Sequence, residues 1–130
     1  MSGKRYLLDT NAIVQLLSGN REIAGIVREA DFLATSVICK FEFLSFPGLA
    51  DADAELFSLF AARVKIFPVP EDDESFTRAV VSFRRTERKN LKMPDAIIAA
   101  TASTSGCAVL TADADFKGVP GLDVRSYEPV

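Results

Sequence analysis

Short apolar runs alternate with longer amphipathic stretches along the chain. The runs have strand length: Tyr6 to Leu8, Phe32 to Thr35, Val64 to Val69, Ala108 to Leu110 and Leu122 to Val124. Between them the pattern predicts helices over Ala12 to Ser18, about Arg21 to Ala30, Val37 to Phe46, Asp51 to near Arg63, Glu71 to about Lys89, and Asp95 to Ser105. Gly19-Asn20, Pro47-Gly48 and Gly106 mark helix ends, and Pro94 suits a first helical turn. The helix opened by Glu71, Asp72, Asp73 and Glu74 and closed by Arg84, Arg85, Arg88 and Lys89 has the charge polarity that a helix dipole favours. Strands alternating with helices argue for an α/β fold with a largely parallel sheet of about five strands. No repeat or long linker interrupts the pattern, so residues 1–130 are expected to form one domain.

Composition narrows the chemistry. At 48% hydrophobic and 25% charged residues the chain has enough apolar material for a core. Its only apolar run near the start is Tyr6 to Leu8, too short for a signal peptide or a membrane span, so a cytoplasmic protein with no membrane partner is expected. Cys39 and Cys107 are far apart and lack CxxC spacing, which fits neither a disulfide framework nor a thiolate metal cage. The net charge of −3 gives no global attraction for a polyanion, so any nucleic-acid contact must be local. The absence of histidine excludes Ser-His-Asp and Cys-His catalysis, a histidine acid–base pair and histidine-containing zinc sites.

What remains is carboxylate chemistry, and four acids lie where acids are costly. Asp9 ends YLLD, at the expected carboxyl end of a strand, where open α/β sheets place ligands; a helix N-cap is the alternative reading. Glu42 lies in VICKFEFLSF among Ile38, Cys39 and Phe46, on what the spacing predicts to be a buried helical stripe, although Lys40 and Ser45 show that the helix also has a polar side. Asp95 heads the small, apolar helix PDAIIAATA, where an acid that only complements the dipole is the alternative. Asp113 follows AVLTA, at another strand end or in a turn. Parallel strands can bring these four to one edge of the sheet. There they would repel one another and raise each other's pKa values unless a cation intervened. An all-oxygen site selects a hard ion, Mg²⁺ or Mn²⁺, whose usual work on carboxylates is hydrolysis at phosphate.

The residues also resemble a known family. YLLDTNAIV, a helical Glu some thirty residues on, LKMPDAIIAATA, and VLTADADF followed by VPGL together resemble the PIN domain, in particular the VapC-type toxins of toxin–antitoxin pairs. The resemblance spans essentially the whole chain, although the stretch between Phe46 and Phe83 matches no motif. It implies a three-layer α/β/α fold, an Mg²⁺- or Mn²⁺-dependent endoribonuclease acting on RNA, frequent homodimers, and a cognate antitoxin whose segment lies across the active-site groove. Carried over position by position, Asp9, Glu42, Asp95 and Asp113 match the acidic quartet that is catalytic and metal-binding in the family. Asn11 matches the Asn of DTN, and Thr111 the hydroxyl before the last acid. Asp115 competes with Asp113 for the fourth place.

Two further features bear on partners. RRTERKNLK, just before Asp95, carries Arg88, Lys89 and Lys92, either as contacts for an RNA backbone or as a solvated helix end. Phe41, Phe43, Phe46, Phe57 and Phe60 cannot all share one helical stripe, so part of that aromatic surface is expected to serve an interface. An Mg²⁺-dependent phosphatase of the haloacid dehalogenase kind is the rival enzyme, but it wants a second Asp at the place of Asn11. A receiver-like signalling domain is the non-enzymatic rival, and it wants an acid pair beside Asp9.

Overall fold

The computed structural model describes residues 3–86 and 91–130. Five strands form one all-parallel sheet: β1 (Arg5–Leu8), β2 (Phe32–Ser36), β3 (Lys65–Phe67), β4 (Ala108–Thr111) and β5 (Val124–Ser126), in the order β3-β2-β1-β4-β5. Six helices connect and cover them: α1 (Thr10–Leu17), α2 (Arg21–Arg28), α3 (Val37–Leu44), α4 (Asp51–Ala61), α5 (Glu74–Arg84) and α6 (Met93–Ser105). The result is a three-layer α/β/α arrangement. Leu7 and Leu8 in β1, and Val109 and Leu110 in β4, have no exposed surface, as strands covered on both faces require. The chain builds outward from β1 to β2 and β3, then returns to place β4 on the other side of β1. The strand order therefore reverses between β1 and β4, and a crevice opens at their carboxyl ends.

Local chemistry sets the helix starts. Asp9 leaves β1 in extended conformation and caps α1, its Oδ1 accepting the Ala12 N–H at 2.8 Å. Ser36 does the same for α3 through the Ile38 N–H, so this helix begins at once where β2 ends. Asn20 caps α2, and Gly106, at φ 70°, ends α6 in the left-handed conformation that a side chain resists. Three expected boundaries are corrected. The α5 helix begins at Glu74 rather than Glu71, because Asp72 has φ 49° and Asp73 is the cap that accepts the Phe76 N–H. It ends at Arg84, and Arg88 and Lys89 lie outside the described residues. The last strand is Val124–Ser126 rather than Leu122–Val124, because a turn closed by Leu122 N–H on the Val119 carbonyl, with Gly121 at φ 78°, occupies the preceding residues.

The core lies between sheet and helices. Leu7, Leu8, Ile13, Ile98, Val109 and Leu110 fill its centre. The α6 helix packs closely because its inner face is small: Ala96, Ala99, Ala100 and Ala102 are buried with Ile98 and Thr101. Such side chains let a helix approach the sheet and its neighbour α5 tightly, and that approach carries Asp95 to the crevice. Among the described residues no helix is long and apolar enough to cross a membrane.

Candidate metal centre

Asp9, Glu42, Asp95 and Asp113 line one cavity of about 180 Å³, with Thr10, Asn11, Phe46 and Ile98. Asp9 comes from the end of β1, Glu42 from α3, Asp95 from the first turn of α6, and Asp113 from the turn after β4. The sheet register explains the meeting of the first and last, since Leu8 pairs with Leu110 and the Asp9 N–H donates to the Leu110 carbonyl at 3.4 Å.

Hydroxyls hold the acids in place. The Thr111 hydroxyl donates to Asp9 Oδ2 and accepts the Asp113 N–H at 2.9 Å, tying two acids 104 residues apart in sequence to one side chain. Thr10 donates to Glu42 Oε1 at 2.6 Å. Asp113 caps a short 3₁₀ turn, Ala114–Phe116, by accepting the Asp115 N–H at 2.9 Å. That turn was not expected from sequence. It folds Asp115 back, so that carboxylate oxygens of Asp95, Asp113 and Asp115 lie within 4.8 Å of one another.

Burial differs sharply among the acids. Asp9 is only 6% exposed, and its pKa is pushed up from 3.8 to about 6, chiefly by burial and also by the charges of Asp113 and Asp95, against the lowering effect of its Thr111 and Ala12 hydrogen bonds. Half-buried Asp95 is raised as well, first by burial, then by Asp113, Glu42 and Asp115, with Lys92 acting in the opposite direction. Glu42 departs from expectation. It is exposed rather than part of a buried stripe, because α3 turns Cys39 and Phe43 into the core and leaves Glu42 at the cavity's rim.

The remaining predicted residues are distributed around this centre. Asn11 is exposed in the first turn of α1, Thr111 is buried at the end of β4, and Lys92 caps α6 on the exposed side. Arg88 and Lys89 lie outside the described residues, so only Lys92 of the basic stretch has a place here. Sequence reasoning missed Thr10, although its position directly after Asp9 at a helix start was a usable signal. It also missed Tyr127, whose burial beside Asp9 no local pattern announces.

The donor set suits a hard cation. Three carboxylates converge, all potential donors are oxygen, and both cysteines are buried. Without positive charge the acids repel one another and Asp9 is left poorly solvated.

The PIN domain family model matches residues 6–122. No curated protein matches the chain. Among solved structures, a toxin–antitoxin complex from Klebsiella pneumoniae is 28% identical, with a TM-score of 0.72, covering 90% of this chain and 94% of that one. VapBC2 from Rickettsia felis, bound to a DNA fragment from its promoter, gives a TM-score of 0.80 at 18% identity, covering 95% and 99%. VapBC-5 from Mycobacterium tuberculosis gives 0.66 at 21% identity, covering 95% and 99%.

Proposed function

Because the chain belongs to the PIN domain family, we propose that it is a metal-dependent endoribonuclease of the VapC type, the toxin of a toxin–antitoxin pair. The observation that carries this reading is the convergence of Asp9, Glu42, Asp95 and Asp113, from four separate segments, on one cavity. Among the described residues, Asp95, Asp113 and Asp115 are those whose carboxylate oxygens lie close enough together to share an ion, with Asp9 beside them and Glu42 at the rim. Mg²⁺ or Mn²⁺ is proposed as that ion. When bound, it would supply the positive charge that lets the acids ionise together and that polarises water and the scissile phosphate. The protein's own part is orientation: Thr111 fixes Asp9 and the Asp113 backbone, and Thr10 fixes Glu42. Lys92, exposed at the start of α6, is placed to meet an RNA backbone arriving at Asp95.

A groove beside the cavity supports the antitoxin partner. Val14, Leu17, Phe43, Phe46, Leu49 and Leu56, with Ser18 and Asp53 among them, line about 210 Å³ between α1, α3 and α4, and Phe46 also borders the acidic cavity. A segment seated on this apolar floor would reach the acids directly, and the Klebsiella pneumoniae structure is itself a toxin–antitoxin complex. Exposed Phe41 and Leu59, at 57% and 62%, supply apolar surface for the proposed homodimer. Residues 1–130 are read as one domain acting in the cytoplasm.

The test is cleavage of tRNA, rRNA and mRNA pools with Mg²⁺, with Mn²⁺ and with chelator. Cleavage should require the metal. Asp95→Asn should lower it by at least about 100-fold, the upper end of what losing a group that merely orients a ligand costs. Full cleavage in chelator, or by Asp95→Asn, would sink the reading.

A further inference from the structure

The α6 helix carries Asp95 in its first turn, so the position of the helix along its own axis decides where that carboxylate lies. Its packing defines that position weakly. Of the residues it buries, Ala96, Ala99, Ala100 and Ala102 offer only methyl groups, which make shallow ridges and resist sliding less than large side chains would. The hydroxyls of Thr101, Thr104 and Ser105 add no hold, because each donates to a carbonyl one turn back in the same helix, at 2.8, 2.8 and 2.6 Å. The start of α6 is also bare. Helices α1, α2, α3 and α5 each begin on a side chain that accepts a backbone N–H, whereas Lys92 accepts none and Pro94 follows it.

Two arginines supply what is missing. Among the described residues, the side-chain hydrogen bonds that join α6 and the residues at its two ends to other elements come from Arg5 and Arg84. At the far end, Arg5 of β1 rests its guanidinium 4.2 Å from the centre of the Phe32 ring and donates from Nη2 to the Ser105 carbonyl at 3.1 Å. At the near end, Arg84, the last residue of α5, donates from Nη1 to the Leu91 carbonyl at 2.6 Å. Leu91 is only 1% exposed and lies directly before the Lys92 cap. The bond therefore fixes the chain where it enters α6.

The tolerance at Asp95 is narrow. Distances from a metal to its ligands hold within about 0.2 Å, whereas sliding a helix by one residue moves its side chains by about 1.5 Å. Asp113 and Asp115, whose oxygens lie within 4.8 Å of that of Asp95, are carried by the turn after β4 and would not move with α6. A fraction of one residue's slide is enough to part them.

We infer that Arg84 is a positioning residue, which holds the first turn of α6 in place so that Asp95 meets Asp113 and Asp115 at one ion. The inference rests on the metal-dependent ribonuclease reading for that ion's role. It is tested by titrating the full chain with Mn²⁺ in a calorimeter, as wild type and as Arg84→Ala, Arg84→Met and Arg84→Lys. Amide hydrogen exchange at Ala96, whose N–H donates to the Lys92 carbonyl in the first turn of α6, is followed in parallel with chelator present.

Arg84→Ala should weaken Mn²⁺ binding by at least about threefold, short of the roughly tenfold to hundredfold that losing a group bonded directly to a ligand costs. Exchange at Ala96 should quicken. Arg84→Met keeps the apolar stem without the donors, so it should behave like Arg84→Ala and serves if that variant fails to fold. Arg84→Lys retains a donor for the same carbonyl and should bind Mn²⁺ more tightly than either. Unchanged Mn²⁺ affinity in the alanine and methionine variants would overturn the role, even with faster exchange, since Arg84 would then serve stability alone. A lysine variant no better than methionine would overturn it as well. Mn²⁺ binding that depends on Arg84 in a chain that cleaves no RNA would leave the positioning role standing and remove the ribonuclease reading; metal-dependent cleavage with Mn²⁺ affinity indifferent to Arg84 would do the reverse. A wild-type chain that binds no Mn²⁺ would overturn both.

Discussion

The acidic cavity and the apolar groove meet at Phe46 yet are built on opposite physical terms. The groove is made by neighbouring helices, and its aromatic floor continues the core: Phe43 stacks on Phe57 at 4.9 Å and packs against Phe46 at 5.8 Å. The cavity gathers like charges from segments scattered along the chain, with one of them, Asp9, almost wholly out of water. The groove's contribution to a complex would come from area, spread over several side chains. The cavity works against the fold that holds it. A region that lowers stability in the absence of a ligand shows what it is arranged to bind, whereas an apolar region is informative only through what remains uncovered.

This contrast can be broken most directly at Asp9. Its folded-state pKa of about 6 lies above its ordinary value of 3.8, so the folded protein holds the proton more tightly than the unfolded chain does. Below about 3.8 both states are protonated and Asp9 costs nothing. Between 3.8 and about 6 the penalty grows, and above about 6 it is complete, at roughly 3 kcal/mol. Asp9→Asn should therefore match the wild type near pH 3 and exceed it by up to about 3 kcal/mol at pH 7, in denaturant unfolding with chelator present. Mg²⁺ or Mn²⁺ should recover more stability in the wild type than in the variant, which keeps Asp95, Asp113 and Asp115 but loses the Asp9 charge that the ion offsets. A difference that does not change with pH would mean that Asp9 is comfortable as an anion, and the contrast would fail.

A smaller effect is expected in the groove. Leu56, exposed at the groove's wall, contributes area without charge. Leu56→Asp should weaken binding of the antitoxin by about 2 kcal/mol, the scale of one buried aliphatic side chain, while the unfolding midpoint stays put. Unchanged affinity in calorimetry would move the partner off this surface.

The smallest effect separates orientation from charge within the cavity. Thr10→Val removes the hydrogen bond to Glu42 and leaves every acid in place. Cleavage should fall about threefold to tenfold, matching roughly 1 kcal/mol for one exposed, charge-assisted bond. A loss as large as that of Asp95→Asn would show that Glu42 depends on Thr10 for more than orientation.

Much of the architecture was legible because it rests on local rules. Strand-length apolar runs separated by helical periods gave the parallel α/β sheet, and Gly106 and Pro94 marked the ends of α6. Local rules failed where a boundary depended on backbone geometry. Asp72, Asp73 and Glu74 all read as helix-opening acids, and only the left-handed turn at Asp72 decides that Asp73 is the cap. Glu42 was misjudged for a related reason. Its neighbours are apolar, but the direction in which α3 faces is fixed by what it packs against, not by its own composition.

By itself, the sequence determined the kind of chemistry available to this protein: without histidine and with both cysteines isolated, its strand-end acids leave oxygen ligation of a hard ion. Which acids share a space was decided only by the tertiary structure. Residue type sets what a side chain can bind, but the distance between Asp95 and Asp115 depends on a strand order that reverses beside β1, a helix of alanines packed close, and a 3₁₀ turn. The burial of the Tyr127 hydroxyl, without a hydrogen-bond partner among the described residues, is likewise a product of long-range packing.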